Sequence, residues 1–269
     1  MTSNMTKSNQ QETPVLLTYQ LGEHIMAFST TRHGGVSQGS YGSFNINAYC
    51  GDAVEAIQQN RLLLCHCLGV DVSRLVLPHQ VHGVRVEQIT PAFFHKNPEE
   101  RQAQLEGVDA VMTNVCDACL GVSTADCIPV LIYDPIHHAA AAIHAGWRGT
   151  VQRIVCYVVE AMVKAYGSKP ETLRAVIGPG IGLDAFEVGD EVYDAFANAG
   201  FCMERMSRRD DKWHLDLWAC NQQQLLACGL TTEHIQLSGI CTYQQCDDYF
   251  SARRLGIRSG RVFTAFVLR

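Results

Sequence analysis

Between residues 123 and 150 the chain reads STADCIPVLIYDP…AAAAIHAGWRGT, and it carries polar groups where a packed core has no use for them. Asp126 and Cys127 stand just ahead of Pro129 and the apolar run VLIY, at a loop-to-strand junction. In AAAAIHA the alternation of a strand places Ala140, Ala142 and His144 on one face, with His144 just before a glycine-bearing turn. Upstream, in VHGVRVEQI, the same parity sets His82, Val84 and Val86 on one face of an expected strand. His79 has the opposite parity. A pair at i and i+3 suits a helix face rather than a strand, so His82 is the preferred donor. Two imidazoles and a thiolate at the ends of rigid elements form a donor set for zinc with a fourth position open. Zinc in such a site lowers the pKa of bound water to about 7 and supplies a nucleophile at neutral pH.

A second set of residues suits anions. Arg148, in HAGWRGT, precedes an expected helix starting at Gly149 or Thr150, whose free N–H groups and dipole favour negative charge. Arg32, in TTRHGG, is a further fork for phosphate. Each arginine also reads as an ordinary solvated side chain. IGPGIG has the spacing of neither GxGxxG nor GxxxxGK[ST] and reads as a tight turn walling a pocket.

The elements that must position these groups alternate short apolar runs with amphipathic ones, the pattern of a mixed α/β domain. VLLTYQL and HIMAFSTT read as strands in a hairpin across Gly22, and residues 52 to 68 as a helix ending at Gly69. LVLPHQVHGVRVEQI is strand-like, and NPEERQAQLEG a loop or short helix. DAVMTN, LGVST, VLIYD and AAAAIHA read as strands, TVQRIVCYVVEAMVKAYG as a helix, and RAVIGPGI as a strand and turn. EVGDEVYDAFANAG and LDLWACNQQQLLACG read as helices, and IQLSGIC and RVFTAFVLR as closing strands. Strands outnumber crossover helices, which predicts a mixed sheet, or two packed sheets, flanked by helices. RHGGVSQGSYGSFNI is a loop too long for mere connection.

Composition narrows the function classes. Of 269 residues, 47% are hydrophobic and 18% charged, an ordinary globular balance. The net charge of −6, without a run of five like charges, argues against broad capture of nucleic acid. No apolar run reaches membrane-span length. Residues 1–14 are polar and predict a disordered leader, followed by a single catalytic domain over 15–269. Twelve cysteines without a secretion signal read mainly as small apolar fillers in a reducing cytosol. The CDAC pair, Cys116 and Cys119, has no second pair to complete a four-sulfur site, and Cys65 and Cys67 face different directions of a helix.

From TTRHGGVSQGSYGSFNIN through QVHG, DAVMTN, ADCIPVLIYD, HAGWRGT and IGPGIG…FEVG to CTY…DYFSARR…GR, the chain resembles the YfiH family. That family is also called the laccase-domain or polyphenol-oxidase-like family. The resemblance implies an α/β/β/α fold similar to a cysteine-hydrolase toxin domain, with metal ligands matching His82, Cys127 and His144. It also implies phosphorolysis of adenosine, inosine, guanosine and methylthioadenosine, deamination of adenosine, and a pocket lined by Arg32, Asn45 and Arg148. An older description of the family is copper-dependent phenol oxidation. SFNIN and IGPGIG depart mildly from the family pattern and leave the proposed ligands untouched.

The leading expectation is therefore a cytoplasmic, zinc-dependent enzyme, monomeric or weakly homo-oligomeric, acting on purine nucleosides and phosphate. Asp126 is expected either to move a proton or to orient His82 or His144; Arg148 helps place phosphate. A laccase-like copper oxidase is the second reading, since the donor set also suits copper. The chain contains no H-x-H pair for a three-copper cluster. A metal-free hydrolase with Cys127 as nucleophile and His144 as base is the third. The zinc-deaminase signature H-x-E with P-C-x-x-C is absent.

Overall fold

A computed structural model describes residues 13–269; the leader expected over residues 1–14 lies outside the described residues up to residue 12. The first strands are β1 (Leu16–Tyr19), β2 (Ile25–Thr30), β3 (Leu75–Val76), β4 (Val86–Gln88), β5 (Ala110–Thr113), β6 (Cys119–Thr124) and β7 (Ile128–Asp134). The rest are β8 (Ala139–Ala145), β9 (Arg174–Ile177), β10 (Glu187–Val188), β11 (Ser207–Arg209), β12 (Trp213–Leu215), β13 (Ile235–Leu237) and β14 (Val262–Leu268). Helices are α1 (Val54–Leu68), α2 (Pro98–Leu105), α3 (Trp147–Val151), α4 (Ile154–Tyr166), α5 (Asp190–Asn198), α6 (Met203–Met206), α7 (Leu217–Ala227) and α8 (Ala252–Leu255). Two large mixed sheets carry the fold, in the orders β1-β2-β14-β6-β3 and β13-β9-β7-β8-β5-β4, beside a small sheet β10-β12-β11.

The sheets stack face to face between helical layers, giving α/β/β/α. Leu120, Val122 and Phe266 of one sheet meet Leu131, Tyr133, Ala140 and Ala142 of the other in the middle core. Ala141, Ile143 and Val130 on the opposite face pack against Val155, Val158 and Met162 of α4 and Leu225 of α7. On the far side, Phe263 and Ala265 meet Leu63, Leu64 and Leu68 of α1. The alternation in β8 explains both contacts, since its even and odd residues bury against different layers. The alanines leave no bulk, so the second sheet can approach closely.

Two local expectations change. The helix after HAGWRGT begins at Trp147, so Arg148 lies in its first turn, and it breaks before Ile154. Arg153 adopts a left-handed φ of 63°, held by a bond from its guanidinium to the Ala199 carbonyl (2.7 Å) and by stacking on Phe201. Residues 75–89 do not form one strand: β3 joins one sheet and β4 the other. His82 lies in the connection between them with φ 63°, so its expected place on a strand face is corrected. A chain that crosses from one sheet to the other must turn, and His82 is at that turn.

Candidate active site

Sheet register assembles the site. Antiparallel pairing of β7 with β8 sets Ile128 against Ala145, so the next pair outward is Cys127 and Gly146. Pairing of β5 with β8 sets Ala110 against Ile143, which brings Asp109 beside His144. The His144 amide donates to the Asp109 carbonyl (2.8 Å), and His144 Nδ1–H donates to its carboxylate (2.8 Å). The same carboxylate accepts the backbone amides of Val81, His82 and Gly83 at 3.3, 2.9 and 2.7 Å. One buried acid thus fixes both histidines, gripping one by its ring and the other by its loop.

His82, Cys127 and His144 offer ligand atoms that all lie within 4.8 Å of one another. Among the described residues, no other group of three or more His, Cys, Asp or Glu side chains comes close enough to share an ion. His82 is exposed, Cys127 half-buried and His144 buried, so the cluster opens toward solvent on one side. The His82 and His144 rings meet edge to face at 4.8 Å. A Cβ added at Gly146 would stand 2.8 Å from His82 Cδ2 and 3.1 Å from Cys127 Sγ, so glycine leaves the space that the three donors share. Two nitrogens and one sulfur around such a space fit a borderline cation of the zinc or copper kind.

Electrostatics favour a ligand-ready thiolate. Burial works against ionisation of Cys127, but the charge and hydrogen bond of His144, together with those of His82, bring its thiol down to about 6. Burial alone would lower His144; the thiolate and the Asp109 carboxylate raise it to about 9. Burial also opposes charge on Asp109, yet the bond and charge of His144 and the backbone amides hold it below the ordinary carboxylate range. In the metal-free protein, iodoacetamide labelling of Cys127, followed on its own peptide by mass spectrometry, is therefore expected to be half-maximal near pH 6. An unperturbed thiol titrates near about 8.5.

The cluster forms part of the floor of a cleft of about 260 Å³. Tyr49 and His79 stack in its wall at 4.1 Å and 22°, and the His79 ring bonds Glu106 (2.7 Å). Asn47, Gln80, Ser123, Thr124, Ile257 and Arg261 complete much of the rim.

The other anticipated residues stand apart from this cleft. The Arg32 guanidinium donates to the carbonyls of Gly42 (2.9 Å) and Cys246 (2.6 Å) and lies over Phe250, tying the glycine-rich loop to the chain's last third. Asn45 is buried behind the lining, where it bonds Asp52 and accepts the Arg261 amide. Arg148 is exposed and stacked on Trp147. Asp126 accepts from Thr242 Oγ1 (2.8 Å) and the Arg253 amide (2.6 Å), so its carboxylate braces loops. The orienting bond to His144 expected of Asp126 comes from Asp109. GPGIG packs behind Cys127, with Ile181 N–H donating to the Asp126 carbonyl.

Asp109 was not among the anticipated residues, although a signal existed: an acid opening the apolar run DAVMT must be buried with partners. Tyr49 lay in no motif, and although Ser123 and Thr124 stand in STADC and Arg261 ends the GR of the family pattern, none of them was assigned a role.

Fold and site together define an α/β protein with two large packed sheets and, among the described residues, one cysteine–histidine donor cluster. The chain belongs to the family described as multi-copper polyphenol oxidoreductase laccase, whose model matches residues 26–269. It is 46% identical to a purine nucleoside phosphorylase of Bacteroides thetaiotaomicron, covering 91% of this chain and 92% of that one. It is 42% identical to adenosine deaminase RL5 of an unknown prokaryotic organism, covering 90% and 93%. Among solved structures, Bacillus licheniformis YfiH superposes with a TM-score of 0.89 at 28% identity, over 97% and 98% of the chains. Geobacillus stearothermophilus YlmD gives 0.86 at 30%, over 93% and 94%.

Proposed function

We propose that this protein is a zinc-dependent enzyme that cleaves purine nucleosides with phosphate and deaminates adenosine. The observation that carries the reading is the convergence of His82, Cys127 and His144 at the floor of a cleft with an aromatic wall. The relatives named purine nucleoside phosphorylase and adenosine deaminase support the substrate class. His82, Cys127 and His144 would hold a zinc ion, which would supply Lewis acidity when bound. Asp109 holds His144 by Nδ1, which turns Nε2 toward Cys127 and the space that the three donors share. The Tyr49–His79 stack offers a flat apolar face of the kind on which a purine base packs. In phosphorolysis a phosphate oxygen attacks the anomeric carbon, the glycosidic C–N bond breaks, and the base leaves with the electron pair and a proton. The single donor cluster found among the described residues does not provide the ligands of a three-copper centre, which sets oxidative laccase chemistry behind nucleoside chemistry.

The decisive experiment incubates zinc-loaded protein with adenosine, with and without phosphate, and identifies the products. Inosine in both arms, and adenine with ribose 1-phosphate only when phosphate is present, is the expected result. Phenol oxidation by copper-loaded protein without any nucleoside turnover overturns it. So does full turnover of every product by His82→Ala, Cys127→Ala and His144→Ala.

A second reading has its own observation. Cys127, His144 and Asp109 stand in the order nucleophile, base and orienting acid, the arrangement of a cysteine hydrolase. His82 distinguishes the two, because a hydrolase needs no second imidazole against the sulfur. Zinc is expected to protect Cys127 from alkylation and chelator to restore the reaction; equal labelling with and without zinc favours the hydrolase.

A further inference from the structure

Ser123 and Thr124 close β6 at the cleft. Both line it, they are 5% and 1% exposed, and neither hydroxyl oxygen has a partner among the described residues. Buried hydroxyls are usually bonded, and of the nine buried side-chain polar atoms without a partner among the described residues these two alone line the cleft. Their positions are fixed rather than loose. The Gln80 side chain clasps the Ser123 backbone, accepting its N–H and donating to its carbonyl, both at 2.8 Å.

The β6–β14 register pairs Thr124 with Val262, which brings Arg261 to the same strand end. The Arg261 guanidinium donates to the carbonyls of Ile257 (2.9 Å), Ser259 (2.5 Å) and Gly260 (3.0 Å). Among the described residues it pairs with no carboxylate, so its partners fix the fork without neutralising it. Among the described residues, no aspartate or glutamate lines the cleft. Two unsatisfied hydroxyls, one uncompensated guanidinium and no opposing acid describe an anion subsite.

We infer that Ser123, Thr124 and Arg261 bind the inorganic phosphate co-substrate, a task for which Arg32 and Arg148 stand outside the cleft. The inference rests on the nucleoside-cleaving reading above. Successive residues of a strand face opposite ways, so the phosphate sits off the end of β6, where the Ser123 and Thr124 hydroxyls donate from either side, Arg261 balances its charge and one oxygen stays free to attack the anomeric carbon.

The test uses zinc-loaded full-length protein, with Ser123→Ala, Thr124→Val and Arg261→Gln. Calorimetric titration with inorganic phosphate alone gives a direct readout, and steady-state kinetics vary phosphate and nucleoside separately. The isosteric Thr124→Val keeps the experiment informative if Arg261→Gln disturbs the loop that it braces. Each variant is expected to weaken phosphate binding, and to raise the KM for phosphate, by about tenfold or more, the loss of one charge-assisted bond. The KM for nucleoside is expected to stay within about twofold, as only one of the two substrates loses a contact. Unchanged phosphate binding in all three variants overturns the inference, as does a rise confined to the KM for nucleoside, which would make this a ribose subsite. Phosphate binding that the variants abolish, in a protein that turns over no nucleoside, upholds the subsite and rejects the nucleoside reading.

Discussion

Asp109→Ala is expected to destabilise the protein by about 3–5 kcal/mol, the range for removing one partner of a buried ion pair. It is also expected to lower zinc affinity by about 10–100-fold, as loss of a partner that orients a ligand does. The carboxylate is fully buried and accepts four bonds, three from the amides of residues 81–83 and one from His144. Its removal releases the loop carrying one histidine and the ring of the other at once. Urea denaturation with and without zinc separates the two effects. Asp109→Asn retains an acceptor oxygen without the charge, so its loss should be smaller in both measurements. The pH dependence follows from the lowered carboxyl pKa: the stability that Asp109 contributes is complete above the ordinary carboxylate range and is lost as pH falls through its depressed value. Asp109→Asn should therefore show a flatter acid limb. An unchanged limb and unchanged zinc affinity would remove Asp109 from its role.

Gly146→Ala should abolish most activity with far less effect on the fold. The glycine has φ −67°, which alanine adopts freely, so the backbone is not strained by the change. The added methyl meets His82 Cδ2 at 2.8 Å and Cys127 Sγ at 3.1 Å. His82 is the exposed member of the cluster and is the side chain that gives way. A displacement of about 1 Å at a reacting centre costs roughly 100-fold in rate. Zinc content, turnover and denaturation midpoint measured on one preparation decide the matter. Wild-type zinc content and rate in Gly146→Ala would mean that the donors do not share the space beside that glycine.

His82 marks how far strand parity reaches into the site. Parity selected the residue that the fold brings to the cluster, but for a reason the fold does not use. His82 arrives by a turn between two sheets, and no alternation places it. For His144 the alternation holds: Ala140 and Ala142 do face the other sheet from the same side of β8. Arg32 and Arg148 mark the opposite limit. An arginine's chemistry is legible in its name, but whether its fork meets a carbonyl, an aromatic ring or a cleft depends on residues far along the chain, such as Cys246 for Arg32.

By itself the sequence determined most of the local elements and the α/β class, because period-2 and period-3.6 patterns and chain-breaking glycines act over a few neighbouring residues; it named His82, Cys127 and His144 as donors, but alternation accounts for the position of His144 alone. Tertiary structure decided the register that sets Asp109 against His144, the turn that delivers His82, and the strand end that leaves Ser123 and Thr124 beside Arg261. Those depend on pairing between segments up to about 140 residues apart, where the free energy of packing two sheets, rather than any local preference, selects the partner.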